Sequence, residues 1–201
     1  FGDIELFAVW KSEVATEKEI SEADVNAINA AKPNKFVFEG AQVCDYKLIG
    51  TGLDALYTEP ISASNIYTSL STALKGAVEG DVIYVFAGTY ADSCEVTVAN
   101  VTIVGPNYGV KGNAERVEEA DVQGLFTISA ANFTVDGLKF SADASVGLGN
   151  NNITIKDCYL VSKPHVLAGA NRKGIIYTTI KTEVSDINII DNYIKRMYNY
   201  H

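Results

Sequence analysis

The sequence predicts an all-β fold, a parallel β-helix (solenoid) with short helices on its N-terminal side. Three observations carry this. A short phrase recurs four times after residue 100. Its copies are spaced like the coils of a repeat fold. Within each copy, apolar and polar residues alternate as in a strand with one buried face.

The copies read NVTIVG (100–105), NFTVDG (132–137), NITIKD (152–157) and DINIID (186–191). Their centres, Ile103, Val135, Ile155 and Ile189, lie 32, 20 and 34 residues apart. Uneven spacing predicts connections of different length between stacked coils. Val101, Phe133, Ile153 and Ile187 are expected to point inward with the four centres, forming aliphatic ladders with steps of about 4.8 Å. Thr102, Thr134, Thr154 and Asn188 then face out. Asn100, Asn132, Asn152 and Asp186 open each phrase, where stacked amides can bond to one another and tolerate left-handed backbone. Gly105, Gly137, Asp157 and Asp191 close it.

The elements follow in chain order. Residues 1–10, FGDIELFAVW, alternate as a strand. Residues 16–31 read as a helix, with Thr16 and Glu19 as a capping box, Ile20, Ala23, Ala27, Ile28 and Ala31 on one face, and Pro33 as its stop. FVFEGAQV (36–43) reads as a strand and 50–64 as a connection rich in turn residues. A second helix is expected over 66–77, capped by Ser64 or Asn65, with an apolar stripe of Ile66, Leu70, Ala73, Leu74, Ala77 and Val78. DVIYVFAGTY (81–90) reads as a strand closed by a Gly-Thr turn. ADVQG (120–124), LFTISA (125–130), SVGLG (145–149) and GIIYTTI (174–180) supply the other walls of a triangular coil.

Two resemblances rest on these residues. Gly80, Asp81, Ile83, Val85, Gly88, Thr89 and Tyr90 follow an amphipathic helix, as at the entry of the pectin-lyase-like superfamily. The stretches 102–107, 115–124 and 126–140 are written in the same style. The resemblance covers about 66–194 and implies a right-handed parallel β-helix. It implies activity only weakly, because that superfamily holds lyases, glycosidases, tailspikes and non-enzymatic modules. Separately, Gly2, Asp3, Ile4, Leu6, Ala8 and Trp10 resemble the closing strand of an internalin-type B-repeat of bacterial surface proteins. The domain expectation is therefore a repeat tail or edge strand over 1–15, a lead-in over 16–65 and the β-helix over 66–201. The chain opens within strand-like sequence and stops just after a repeat phrase, so a longer protein is expected around it.

Composition narrows the function. Apolar residues make up 47% and charged residues 20%, as expected for a packed core, and the net charge is −9. Such a surface repels phosphate backbones and anionic lipid, so neither nucleic acid nor a membrane is expected as a partner. No apolar run is long enough to span a bilayer as a helix. Cys44, Cys94 and Cys158 form no CxxC pair and are expected to be buried thiols. His165 and His201 are the only histidines and form no ligand set.

A lyase of the resembled superfamily would need clustered carboxylates holding Ca²⁺ beside a basic residue that removes a proton. Asp157 and Asp191, with Asp186 nearby, are the candidates for such an ion, and no other cofactor is expected. Glu115, Glu118 and Glu119 are read as a polar loop with Arg116 as a structural partner, rather than a glycosidase pair. The segment 161–174 concentrates cations in an acidic chain. Lys163, His165, Arg172 and Lys173 are the candidate ligand-binding residues, for an acidic polysaccharide, with Tyr159 and Tyr177 as neighbouring aromatic faces. The leading expectation is an extracellular or cell-surface module of a larger bacterial protein, without catalysis, that displays or binds, with carbohydrate or neighbouring surface-protein domains as partners. A fragment of a polysaccharide lyase or glycosidase and a self-assembling filament subunit are the alternatives.

Overall fold

The computed structural model describes residues 16–40, 46–53, 59–161, 174–179 and 183–195. The expectations for residues 1–15 and for Cys44 lie outside them. The structure is predominantly β, with few helices and nearly all strand pairing parallel.

Strand β1 (Thr16–Glu19) precedes helix α1 (Glu22–Ala31), then β2 (Lys35–Val37) and β3 (Tyr46–Ile49). After a 3₁₀ turn at Ala63–Asn65 come β4 (Ile66–Tyr67) and helix α2 (Leu70–Lys75). The chain then passes through three sheets in a fixed order. The first round is β5 (Val82–Val85), β6 (Gly88–Tyr90) and β7 (Cys94–Val96). The second is β8 (Thr102–Val104), β9 (Ala120–Val122) and β10 (Phe126–Ile128). The third is β11 (Phe133–Asp136), β12 (Lys139–Phe140) and β13 (Val146–Leu148). The fourth is β14 (Ile153–Lys156), β15 (Tyr159–Leu160) and β16 (Ile176–Thr178). β17 (Ile187–Ile190) and β18 (Tyr193–Ile194) open a fifth.

The first strands of the rounds stack in a seven-stranded sheet, β17-β14-β11-β8-β5-β2-β4. The second strands form a five-stranded sheet and the third a four-stranded one. Register aligns Ile83, Ile103, Val135, Ile155 and Ile189. The first four are fully buried. Ile189 is in register but 47% exposed, contrary to expectation, because β17 is the edge strand of the sheet among the described residues. Thr102, Thr134 and Thr154 share the outward row.

The residues that open the phrases behave as their chemistry requires. Asn100, Asn132, Asn152 and Asp186 all have left-handed backbone, with φ between 54° and 58°. Asn152 donates its amide N–H to the Asn132 amide oxygen at 2.7 Å. The stacked side chains thus offset part of the cost of a conformation that a Cβ disfavours.

Both helices differ from expectation. Thr16–Glu19 is a strand, because it pairs in parallel with Tyr46–Ile49, and the capping box is Ser21 with Asp24. The second helix is shorter than 66–77. Ile66 and Tyr67 pair with Phe36 and Val37, and Ser69 is the N-cap, accepting from the Thr72 N–H at 3.1 Å. A β-branched and an aromatic residue beside a free sheet edge favour the strand over one more helical turn. Val78 leaves the expected stripe and is 61% exposed. The 81–90 stretch is two strands, β5 and β6, with a corner between them.

Leu70, Ala73 and Leu74 of α2 enter the main core, which runs between the three sheets. The helix packs on β7, β2 and β4, at the sheet edges opposite β16–β18. A second core lies on the outer face of the seven-stranded sheet. There Ala27 and Ile28 of α1 meet Phe36, Tyr84, Phe86 and Val104. Asp24 is buried because it both caps α1 and accepts from the Tyr84 hydroxyl at 2.6 Å.

Candidate functional site

The site is built by the residues that link β8 to β9. The turns leaving the seven-stranded sheet stack above one another at Gly137, Asp157 and Asp191, all with positive φ. Residues 105–119 run across this stack. The Gly109 N–H donates to the Asp136 carboxylate at 3.0 Å. An Arg116 guanidinium N–H donates to the Asp157 carbonyl at 2.9 Å. The Gly112 N–H donates to the Asp191 carbonyl at 2.8 Å. The segment is therefore a strap anchored to three successive rounds.

Two glycines let it lie this close. A Cβ on Gly137 would sit 2.4 Å from the backbone of Asn107 and Tyr108. One on Gly112 would sit 2.2 Å from the Tyr193 nitrogen and 2.3 Å from the Cys158 carbonyl oxygen.

Polar side chains fix the strap internally. Asn107, fully buried, accepts from the Val117 N–H at 2.9 Å and donates to Glu119 at 3.0 Å. Arg116 grips both oxygens of Glu119, at 2.7 and 3.2 Å, in a two-point ion pair. Beneath the strap, Lys156 bridges Asp136 at 3.1 Å and Asp157 at 3.0 Å and sits over the Tyr108 ring. Burial pushes the Asp136 carboxyl above its ordinary range, against the pull of the Gly109 N–H and Lys156. Lys156 is held charged, first by its hydrogen bond to Asp157.

Between strap and sheet lies a cleft of about 380 Å³ lined by Gly112, Asn113, Ala114, Arg116, Glu119, Tyr159 and Tyr193. The two tyrosines come from adjacent strands of the five-stranded sheet and pair in register. Their rings stack at 5.0 Å and 10°. The outward row continues from them to Lys139 and Asp121, an ion pair at 3.1 Å. A hollow of about 410 Å³ lies on the other side of the strap, against α1. Its acids include Asp24, whose oxygens are already committed to the helix cap and Tyr84.

Lys163, His165, Arg172 and Lys173, named from the sequence, lie outside the described residues. Of the two aromatic residues named with them, Tyr159 is in the cleft. Tyr177 is on a different wall, in the four-stranded sheet, where its phenol lies across Gly147. Asp157, Asp186 and Asp191 each have their own partner. Asp157 binds Lys156, Asp191 binds Lys111 at 3.2 Å, and Asp186 accepts from the Ser185 hydroxyl. Among the described residues no group of three or more His, Cys, Asp or Glu is placed to hold a metal ion. Arg116 does pair within the glutamate loop, with Glu119. Cys94 and Cys158 are buried free thiols, each pushed up to about 12 by burial.

Sequence reasoning missed the strap and Tyr193. The available signal was the 32-residue spacing between the first two phrases, against 20 for the next pair, with Gly105, Gly109 and Gly112 inside the excess. Comparison of the chain with family models, curated proteins and solved structures finds no match.

Proposed function

We propose that this chain is a right-handed parallel β-helix of the pectin-lyase-like kind. In this reading it is a non-catalytic, carbohydrate-binding module of a larger bacterial surface or secreted protein. The fold part is supported by the unbroken cycle through three parallel sheets, by the aliphatic ladder and by the Asn positions with left-handed backbone. The binding part is supported by one observation above all. Two stacked tyrosines form a wall of a cleft whose opposite side is a strap tied to three rounds. Each ring covers one face of the other, so the wall offers a sugar the ring edges, the hydroxyls and the outer faces of the pair, and a preformed cleft spares the ligand the cost of ordering it.

A binding role is favoured over a carboxylate mechanism because the acid that lines the cleft, Glu119, is gripped at both oxygens by Arg116. Asp121 lies further along the row, with one oxygen bound by Lys139, Ser141 and Gln123 and the other buried without a hydrogen-bond partner among the described residues. The test is a glycan array followed by calorimetry on the best ligand. Tyr159→Ala and Tyr193→Ala are each expected to weaken binding by about 1–2 kcal/mol. Binding unchanged in both variants would remove the cleft from the account.

A further inference from the structure

The cleft and its surroundings contain both charged and neutral polar side chains, and they differ in what they have left to offer. The charged ones that line the cleft, Arg116 and Glu119, are spent on each other. Arg116 uses Nε and one terminal nitrogen on Glu119, and the other terminal nitrogen on the Val110 and Asp157 carbonyls. Its side chain is only 7% exposed. Lys139 is paired with Asp121 along the same outward row. Lys111, at the lip beside Gly112, is paired with Asp191. Among the described residues Arg116, Lys139 and Lys111 thus each have an acid partner, whereas Lys195, two residues beyond Tyr193, is exposed outside the lining of the cleft.

The neutral groups are unspent. The exposed Asn113 amide and the Tyr159 and Tyr193 hydroxyls have no hydrogen bond to any described residue. An amide and two phenols supply donors and acceptors together, as a sugar hydroxyl does. Among the residues that line the cleft an anionic ligand would meet no uncompensated positive charge, and it would bring its own charge close to Glu119 in a chain of net charge −9. Within that lining it would have to break the Arg116–Glu119 pair to gain a new one.

We infer that the cleft takes a neutral glycan and discriminates against uronic acids, through apolar packing against the Tyr159–Tyr193 wall and hydrogen bonds from Asn113 and the two phenols. This rests on the reading of the cleft as a sugar site. The strand row Asp121–Lys139–Tyr159–Tyr193 gives the ligand its direction, across the strands and along the stack of rounds.

The experiment is calorimetry on the whole chain with two sets of probes. One set is hexamers of β-1,4-linked glucose, mannose and xylose, and the other is the galacturonate hexamer. Each is titrated at about 0.05 M and about 0.5 M NaCl. The expected result is binding of at least one neutral hexamer, unchanged by salt, with the galacturonate hexamer at least about ten-fold weaker. Tyr159→Ala should weaken the neutral ligand by about ten-fold or more. Asn113→Ala, at an exposed position where folding is not at stake, should weaken it several-fold. Tighter binding of galacturonate, falling with salt and lost in Tyr159→Ala, would overturn the neutral-glycan inference and leave the sugar cleft standing. No binding of either set by the folded chain, or binding indifferent to both substitutions, would overturn the two together.

Discussion

Ile155 is fully buried, with Val135 and Ile189 on the neighbouring strands of the seven-stranded sheet. An aspartate there would place an unpaired carboxylate in an apolar stack. Ile155→Asp is expected to cost at least about 4 kcal/mol, against about 1 kcal/mol for Ile155→Val. Denaturant unfolding measures both, and an aspartate variant within about 1 kcal/mol of the parent contradicts the buried ladder. This position was legible because period-two alternation assigns faces directly. Ile189 obeys the same alternation yet is exposed, since burial also needs a neighbour along the stack, which no local pattern reports. Asp81 illustrates a different limit. Its side chain binds Lys35 at 2.7 Å and accepts from the Val78 N–H and the Asn34 amide, linking the end of α2 to β2 and β5. Burial alone would raise its carboxyl, but Lys35, the Val78 N–H and Asn34 outweigh burial and hold it below the ordinary value of 3.8. Its folded pKa is depressed, so its contribution is complete above the unfolded pKa and is lost as pH falls through the folded one. Asp81→Asn should therefore cost about 3 kcal/mol at pH near 6, with the difference shrinking below about pH 4. Urea titrations across that range check the sign, and a gap that stays constant or widens in acid refutes it. The sequence showed Asp81 only as part of a resemblance, because its partner Lys35 lies far away along the chain.

At the scale of elements, the strap is held by backbone proximity as much as by side chains. Gly112→Ala forces a Cβ to within 2.2 Å of the Tyr193 nitrogen. Gly109→Ala meets nothing within 4 Å and is disfavoured only by its φ of 71°. Gly109→Ala should cost about 1 kcal/mol and leave the strap in place. Gly112→Ala should lift it, increasing proteolytic cleavage within 106–118 and weakening binding in the cleft. Equal cleavage of the two variants would mean that the close approach at Gly112 does not hold the strap. The strap was hidden in the sequence because its anchors are mostly main-chain carbonyls of later rounds, which leave no side-chain signature. The helices were legible as elements and misjudged at their ends for a related reason. Thr16–Glu19 and Ile66–Tyr67 have partners in distant strands, and pairing overrode local capping and periodicity.

For the whole molecule, the recurring phrase proved the strongest signal, because one repeated strand fixes where every other copy must stack. The two outer walls were read more weakly, since β12, β15 and β18 are only two residues long. The account stands on phrases from successive rounds lying side by side in parallel register. Cysteine pairs test this most directly, in a background with Cys44, Cys94 and Cys158 replaced by Ala. The pairs Thr102→Cys with Thr134→Cys, and Thr134→Cys with Thr154→Cys, join outward-facing residues on adjacent strands. The pair Thr134→Cys with Ile155→Cys differs by one residue and puts its thiols on opposite faces. The account predicts rapid disulfide formation in the first two pairs and little in the third, scored by mass spectrometry of the folded protein after mild oxidation. Cross-linking in the shifted pair but not in the matched ones would contradict the stacking on which both the ladder and the cleft depend.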